Sequence, residues 1–365
     1  MSSIISGVDI VNISGGQFYL TAEADSEYLN ASGEIRCFMI LAVRGFLLDN
    51  IAAEAIHNAN NTGFELPKCH PGTREAIQRD LAQWVESKAR KYPIYWLYAP
   101  AGSGKTAIAR TLADSFTDHK RFLLASFFFR RNSTHQNTEE RFIATIAFQI
   151  KTNLPQTAPF IVDAIRDDAT IFQKDLRVQM DNWPQLLVID GLDECSGQDA
   201  QLKILDVISH LVHHISESFP LAVFLSCRPE VHVRGAFHRQ HLNTVSLKIC
   251  LSDQYRHDDD LRKFLVEKFK EVVKTHCHIL SFPHDWPGSS VIDLLVSKSS
   301  GQFIYASTVV KYINIPDDNP MERLAIVRGL KRCPDNEYPF SELDNATSIC
   351  TVSILPRLDI GFTFG

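Results

Sequence analysis

The sequence predicts an α/β fold, a central parallel sheet flanked by helices, followed by a small all-helical domain. Three observations predict it. Continuous apolar runs recur at 94–98, 121–129, 186–190 and 221–227, and strands buried on both faces of a parallel sheet read this way. Segments with helical spacing lie between these runs, the alternation that parallel sheets require. From about Arg234 onward only amphipathic helical segments follow.

Residues 1–33 are short of charge and rich in Ser, Gly and β-branched side chains. Val8 to Leu20 reads as two short strands around a Ser14-Gly15-Gly16 turn. Two readings stay open for it: edge-prone strands suited to self-association, or a flexible tail. Residues 34–66 predict a linker with a helical part spaced through Leu47, Ile51 and Ala55. Within it Cys37 to Leu48 is apolar, but Arg44 interrupts the run and it falls short of the ~20 residues a membrane span needs. No signal peptide opens the chain, and a cytoplasmic protein is expected. The main domain begins at the proline-bracketed turn of residues 67–75. Thr73 there is the expected N-cap of a helix from Arg74 to Lys88, with Ile77, Leu81, Trp84 and Val85 on one face.

The organising stretch is Ile94 to Thr106. An apolar strand leads into Ala101-Gly102-Ser103-Gly104-Lys105-Thr106, and a helix from Ala107 follows. Strand, glycine loop, Lys-Thr and helix in this order form a phosphate-binding P-loop. Its backbone N–H groups make an anion nest at a helix N-terminus. Lys105 is suited to the β- and γ-phosphates of ATP or GTP, and the Thr106 hydroxyl to Mg²⁺. Ala99 stands where the pattern G-x-x-x-x-G-K-[ST] has its first glycine. Alanine is compatible there provided φ stays negative.

The run from Arg121 ends in Arg130 and Arg131 at the carboxyl edge of the predicted sheet, where open α/β sheets bind ligands. These arginines face a phosphate or simply end a strand in solvent. A helix is predicted from Thr138 to Thr152, with Phe142, Ile143, Ile146 and Ile150 on its apolar face. The run Leu186 to Ile189 then delivers Asp190 to the same edge, as a hard oxygen ligand for Mg²⁺. Glu194 just beyond is the first choice as the base for an attacking water, with Asp193 as a second acid on the metal side. A helix over 201–215 leads to the run 221–227, which ends in Cys227-Arg228-Pro229. Arg228 is read as a sensor of the γ-phosphate or as a capping arginine. Helices are predicted at 258–275, 291–297, 302–313 and 320–332, with Phe303, Tyr305, Val309 and Tyr312 as core.

Composition narrows the class. At 365 residues, 45% hydrophobic and 22% charged, the chain has room for about two globular domains. A net charge of −6 gives no electrostatic footprint for nucleic acid and no polybasic patch for lipid. The eight cysteines include no C-x-x-C pair, so reduced thiols are expected rather than a zinc site or a disulfide framework.

The phosphate loop together with Leu186 to Cys195 resembles the NACHT family of signal-transducing (STAND-type) NTPases. Residues 67–75, 126–131, 227–230 and 300–310 look like phrases of mushroom-type fungal NOD-like receptors, and 12–18 is similar to a short N-terminal motif in them. The resemblance implies an α/β P-loop NTPase of the additional-strand type at 67–235, a helical domain at 236–335 and an irregular tail at 336–365. It implies a switch that binds Mg²⁺ and ATP or GTP, hydrolyses slowly and self-associates on activation with protein signalling partners, while the net acidic charge leads to the expectation of no nucleic acid. By motif, Ala101 to Thr106 bind nucleotide, Thr106 and Asp190 bind metal, Asp193 and Glu194 support hydrolysis, and Arg228 is the sensor. Residues 34–48 and those after 344 leave the family pattern, and no repeat domain follows. A truncated or mis-spliced gene model is the expectation, and a transcript encoding all 365 residues would contradict it. The rival expectations are a nucleotide-binding scaffold that never turns over and an AAA+-type mechanical ATPase.

Overall fold

A computed structural model describes residues 8–13, 16–21, 50–59, 66–87, 89–118, 123–154, 157, 185–215, 220–251, 255, 257–278, 280–316 and 318–330. The segments 34–48 and 345–365 that leave the family pattern lie outside these residues. Strands β1 (Val8–Ile13) and β2 (Gly16–Thr21) pair antiparallel, Val8 opposite Thr21 and Ile13 opposite Gly16. The two strands read at this position are therefore present as a hairpin.

Five parallel strands form the central sheet: β3 (Ile94–Tyr98), β4 (Leu123–Phe128), β5 (Leu186–Asp190), β6 (Ala222–Cys227) and β7 (Ser246–Cys250), in the order β4-β5-β6-β3-β7. The pleat divides the core in two. In β3, Ile94 and Trp96 join one apolar cluster, and Tyr95 and Leu97 join the other. The first cluster takes in α3 (Glu139–Asn153), α4 (Gln198–Ile215) and α5 (Val231–His238). The second takes in α1 (Glu75–Glu86) and α2 (Lys105–Asp118). The result is a helix–sheet–helix sandwich. After α6 (Gln240–Asn243) and β7, the helices α7 (His257–His276), α8 (Ser289–Ser299), α9 (Phe303–Ile313) and α10 (Pro320–Val327) enclose a separate core around Leu265, Phe269, Leu295 and Val309.

Several local expectations change. Beyond about Arg234 the sequence predicts helices alone, yet β7 extends the sheet to Cys250, past the expected boundary at 235. Only Ser246 and Ile249 of β7 are buried, so this edge strand lacks the continuous apolar run of the others. In the helical part expected through Ile51 and Ala55, Ala53–Ala55 forms a 3₁₀ turn packed on the sheet. Ala52 and Ala55 are buried in the sheet's core cluster, and the Ala52 N–H donates to Thr145 Oγ1 at 2.8 Å. Thr73 does not cap α1: its hydroxyl donates to the His70 carbonyl at 2.7 Å, and Arg74, at φ 60°, is the residue before the helix. Thr138 does cap α3, accepting the Arg141 N–H, whereas Ile143 faces outward at 46% exposure.

Candidate functional site: the phosphate loop and the acidic turn

The sheet order brings the site together. β6 stands between β3, which carries the glycine loop, and β5, which carries Asp190. An extra strand between these two is the additional-strand arrangement of P-loop NTPases. In register, Tyr98 lies beside Cys227, and Asp190 beside Ser226. Thus the strand ends leading to Ala99, Asp190 and Arg228 converge on one edge, as the sequence predicts.

The loop has the conformation its residues dictate. Gly102 and Gly104 sit at φ +73° and +91°, values that L side chains rarely adopt. Ala99 is absent from the positive-φ residues and is buried, so the missing first glycine costs no backbone strain. The Ser103 hydroxyl donates to the Pro100 carbonyl at 3.0 Å. Lys105 Nζ donates to the carbonyls of Ala99 (2.8 Å) and Pro100 (2.9 Å), which holds its ammonium against the loop. Burial pulls the Lys105 pKa down, and the carboxylates of Asp193 and Asp190 oppose that fall.

Asp190 is buried at the tip of β5. Ser226 donates its hydroxyl to Asp190 Oδ1, and Thr106 bonds the same carboxyl. Burial raises the Asp190 pKa, with Ser226, Thr106 and Lys105 opposing. A hydroxyl and a carboxylate in contact form a hard-oxygen pair suited to Mg²⁺, which completes its shell with waters and phosphate oxygens. Among the described residues no cluster of three or more His, Cys, Asp or Glu offers an all-protein metal cage.

The acidic turn Leu192–Glu194 is a single 3₁₀ turn entered through Gly191 at φ 72°. Asp193 is buried and tied to Arg228. Its Oδ1 accepts the Arg228 N–H at 2.9 Å, and its Oδ2 forms an ion pair with Arg228 Nε at 3.1 Å. Arg228 Nη1 is buried and has no hydrogen-bond partner. Glu194 Oε2 accepts the Arg131 N–H at 3.1 Å, and Arg131 Nη2 donates to the Asp193 carbonyl at 3.2 Å. Arg131 therefore buttresses the acidic turn. Burial raises the Glu194 pKa against the Arg131 N–H, and Asp193 and Asp190 add to the rise.

Four contributors escaped the sequence reading. Ser226 supports Asp190, and its partner was visible only once β5 and β6 were known to be neighbours. Gln201 donates to the Cys195 carbonyl at 2.8 Å and so holds the far end of the acidic turn. Arg74 donates to the Ser103 carbonyl at 2.8 Å, and the Ile304 N–H donates to the Gly102 carbonyl at 3.2 Å. No sequence signal marks the last two, because both contacts are to backbone.

The fold and the loop define the class: a P-loop NTPase-like fold with a helical C-terminal part. A family profile described as "Nephrocystin 3, N-terminal" matches residues 72–228, the stretch from the turn before α1 to the end of β6. No curated protein matches the chain in sequence. Similar solved structures include a Walker-type ATPase of Pyrococcus abyssi (15% identity, 78% of this chain and 79% of that one, TM-score 0.42). Another is the Orc1 protein of Aeropyrum pernix in complex with DNA (15%, 70% and 65%, TM-score 0.40). A third is domain III of the replication initiation protein DnaA from Thermotoga maritima (10%, 72% and 94%, TM-score 0.36). With likenesses of this degree, the fold rests on the sheet order itself. Among the described residues no helix is long and apolar enough to cross a membrane.

Proposed function

We propose that the chain is a nucleotide-dependent switch of the NACHT, NOD-like receptor kind. It binds Mg²⁺ with ATP or GTP and hydrolyses the triphosphate slowly to control self-association. The observation that carries this reading is the convergence of Lys105, Thr106, Asp190, Asp193, Glu194 and Arg228 at one sheet edge. Ala101 to Thr106 would cradle the phosphates through their N–H groups, and Lys105 would leave the loop carbonyls for the phosphate oxygens. Thr106 and Asp190 would hold Mg²⁺, which when bound neutralises charge on the phosphates. Glu194 would orient the attacking water and take its proton as the new P–O bond forms and the bond to the leaving diphosphate breaks. Asp193 would hold Arg228 so that its unpaired Nη1 faces the γ-phosphate. Residues 67–250 are the NTPase unit in this reading, and the helices from His257 are the part that moves with nucleotide state. The hairpin at 8–21 is a candidate for the self-associating element, with protein signalling partners downstream.

The decisive experiment is titration of Mg·ATP and Mg·GTP into the wild type and Lys105→Ala. Losing two charge-assisted contacts, at about 1.5 kcal/mol each, weakens binding about a hundredfold. No binding by the wild type ends the proposal. A second reading, a nucleotide-binding scaffold without turnover, is favoured by the hold of the Arg131 N–H on Glu194. It predicts bound nucleotide with no phosphate release in either the wild type or Glu194→Gln.

A further inference from the structure

Two successive carbonyls of the phosphate loop are held from outside the loop. The Gly102 carbonyl accepts the Ile304 N–H (3.2 Å), and the Ser103 carbonyl accepts Arg74 Nη2 (2.8 Å). A trans peptide unit is planar, with its N–H directed opposite its C=O. Pulling the Gly102 carbonyl outward therefore turns the Ser103 N–H the other way, and pulling the Ser103 carbonyl outward turns the Gly104 N–H the other way. These are two of the N–H groups that an anion nest presents.

Neither holder belongs to the loop, and both belong to the helical domain or answer to it. Ile304 is the second residue of α9, where the helix has no internal partner for an N–H. The contact is close: a methyl built on Gly102 would lie 2.2 Å from Ile304 Cγ2. Arg74 is clamped between domains. Its N–H donates to Asp260 Oδ2 of α7 at 3.1 Å, its Nε lies 3.9 Å from the same oxygen, and its guanidinium sits 4.7 Å over the Phe303 ring of α9. The side chain is 3% exposed. Arg74, at this junction, sits at φ 60°, and such a conformation persists where surrounding contacts over-determine it.

We infer that Arg74 and the Ile304 N–H are positioning groups for phosphate. The helical domain, docked through Asp260, Phe303 and Ile304, sets the direction of the loop's N–H groups, and so tunes affinity for the diphosphate part of a nucleotide. This inference rests on the nucleotide reading of the loop. Linkage makes the effect reciprocal: phosphate in the loop must tighten the docking by the same factor.

The test measures a fluorescent adenosine diphosphate, and its guanosine counterpart, on full-length wild type, Arg74→Lys, Asp260→Asn and Lys105→Ala. Hydrogen exchange of the peptide containing Ile304 is followed with and without the nucleotide. The inference predicts that Arg74→Lys and Asp260→Asn weaken the diphosphate about tenfold, within the usual range for coupled sites. It also predicts that affinity for the nucleoside alone is unchanged, and that nucleotide slows exchange at Ile304 in the wild type. Wild-type affinity in both variants, with no change of exchange at Ile304, overturns the inference while Lys105→Ala still reports on the loop. A wild type that binds neither nucleotide overturns it together with the reading it rests on. Should Arg74→Lys fail to fold, Asp260→Asn, whose side chain is 22% exposed, and the wild-type exchange measurement decide.

Discussion

At the residue scale, the acidic turn sets chemistry against stability. Glu194 carries a raised pKa because burial disfavours its charge. In the proposed role of base Glu194 works when deprotonated, so phosphate release would fall as pH drops through this raised value, placing the acid limb above the ordinary glutamate pKa of about 4.3. Glu194→Gln keeps an acceptor for the Arg131 N–H and removes the proposed base, so the proposed function predicts that turnover is lost while nucleotide still binds. For folding the sign is the reverse of a salt-bridged carboxylate. A folded pKa raised above the unfolded one means stability is present below the unfolded value and is lost as pH rises through the folded value. Glu194→Gln therefore melts above the wild type at pH 7, and the gap closes near pH 4. Thermal melts at the two pH values check this, and a Glu194→Gln protein that melts lower at pH 7 contradicts it. The cysteines give a second check on burial. Burial pushes the Cys195 thiol up to about 11 and Cys227 higher still, whereas Cys277 is exposed. Thiol labelling at pH 8 modifies Cys277 and leaves Cys195 and Cys227 unreacted in the folded protein.

At the element scale, the edge strand β4 shows how side chains finish a sheet. The Ser126 N–H donates to Gln149 Oε1 at 3.0 Å, and the Ser126 carbonyl accepts Gln149 Nε2 at 2.9 Å. One helical turn on, Asn153 Nδ2 donates to the Leu124 carbonyl at 2.7 Å. Two amides at i and i+4 on α3 thus stand in for a missing strand at positions i and i+2 of β4. Gln149→Leu leaves two buried backbone groups unpaired, at about 1–3 kcal/mol for each, which denaturant unfolding measures. These contacts also explain what was legible in the sequence. The strands β3 to β6 are continuous apolar runs, so their existence and the arrival of Asp190 and Arg228 at one edge could be read directly. The strand β7 could not, since half-burial at an edge removes the apolar signal. The packing of residues 50–59 on the sheet leaves no signal of its own in the sequence, because it rests on a few small buried residues and on backbone bonds to Thr145 and Ser126.

At the scale of the whole molecule, the phosphate loop is where two bodies meet. The turn before α1 joins them again: Lys263 Nζ donates to the Gly72 carbonyl at 3.1 Å, and the rings of His70 and Phe264 meet edge-on at 5.4 Å. A nucleotide bound in the loop would thus lie at a junction rather than in one domain, as the proposed switch requires. The loop motif alone shows phosphate chemistry in the sequence. Its coupling to the helices is invisible there, because Gly102 and Ser103 take part through their carbonyls. The most direct measurement of the central claim is the nucleotide released from purified wild-type protein and from Lys105→Ala, identified by mass spectrometry. The account predicts a near-stoichiometric adenine or guanine nucleotide, di- or triphosphate, from the wild type and almost none from Lys105→Ala. Equal amounts from both proteins, or a wild type that neither carries nor takes up Mg²⁺-nucleotide, would contradict it.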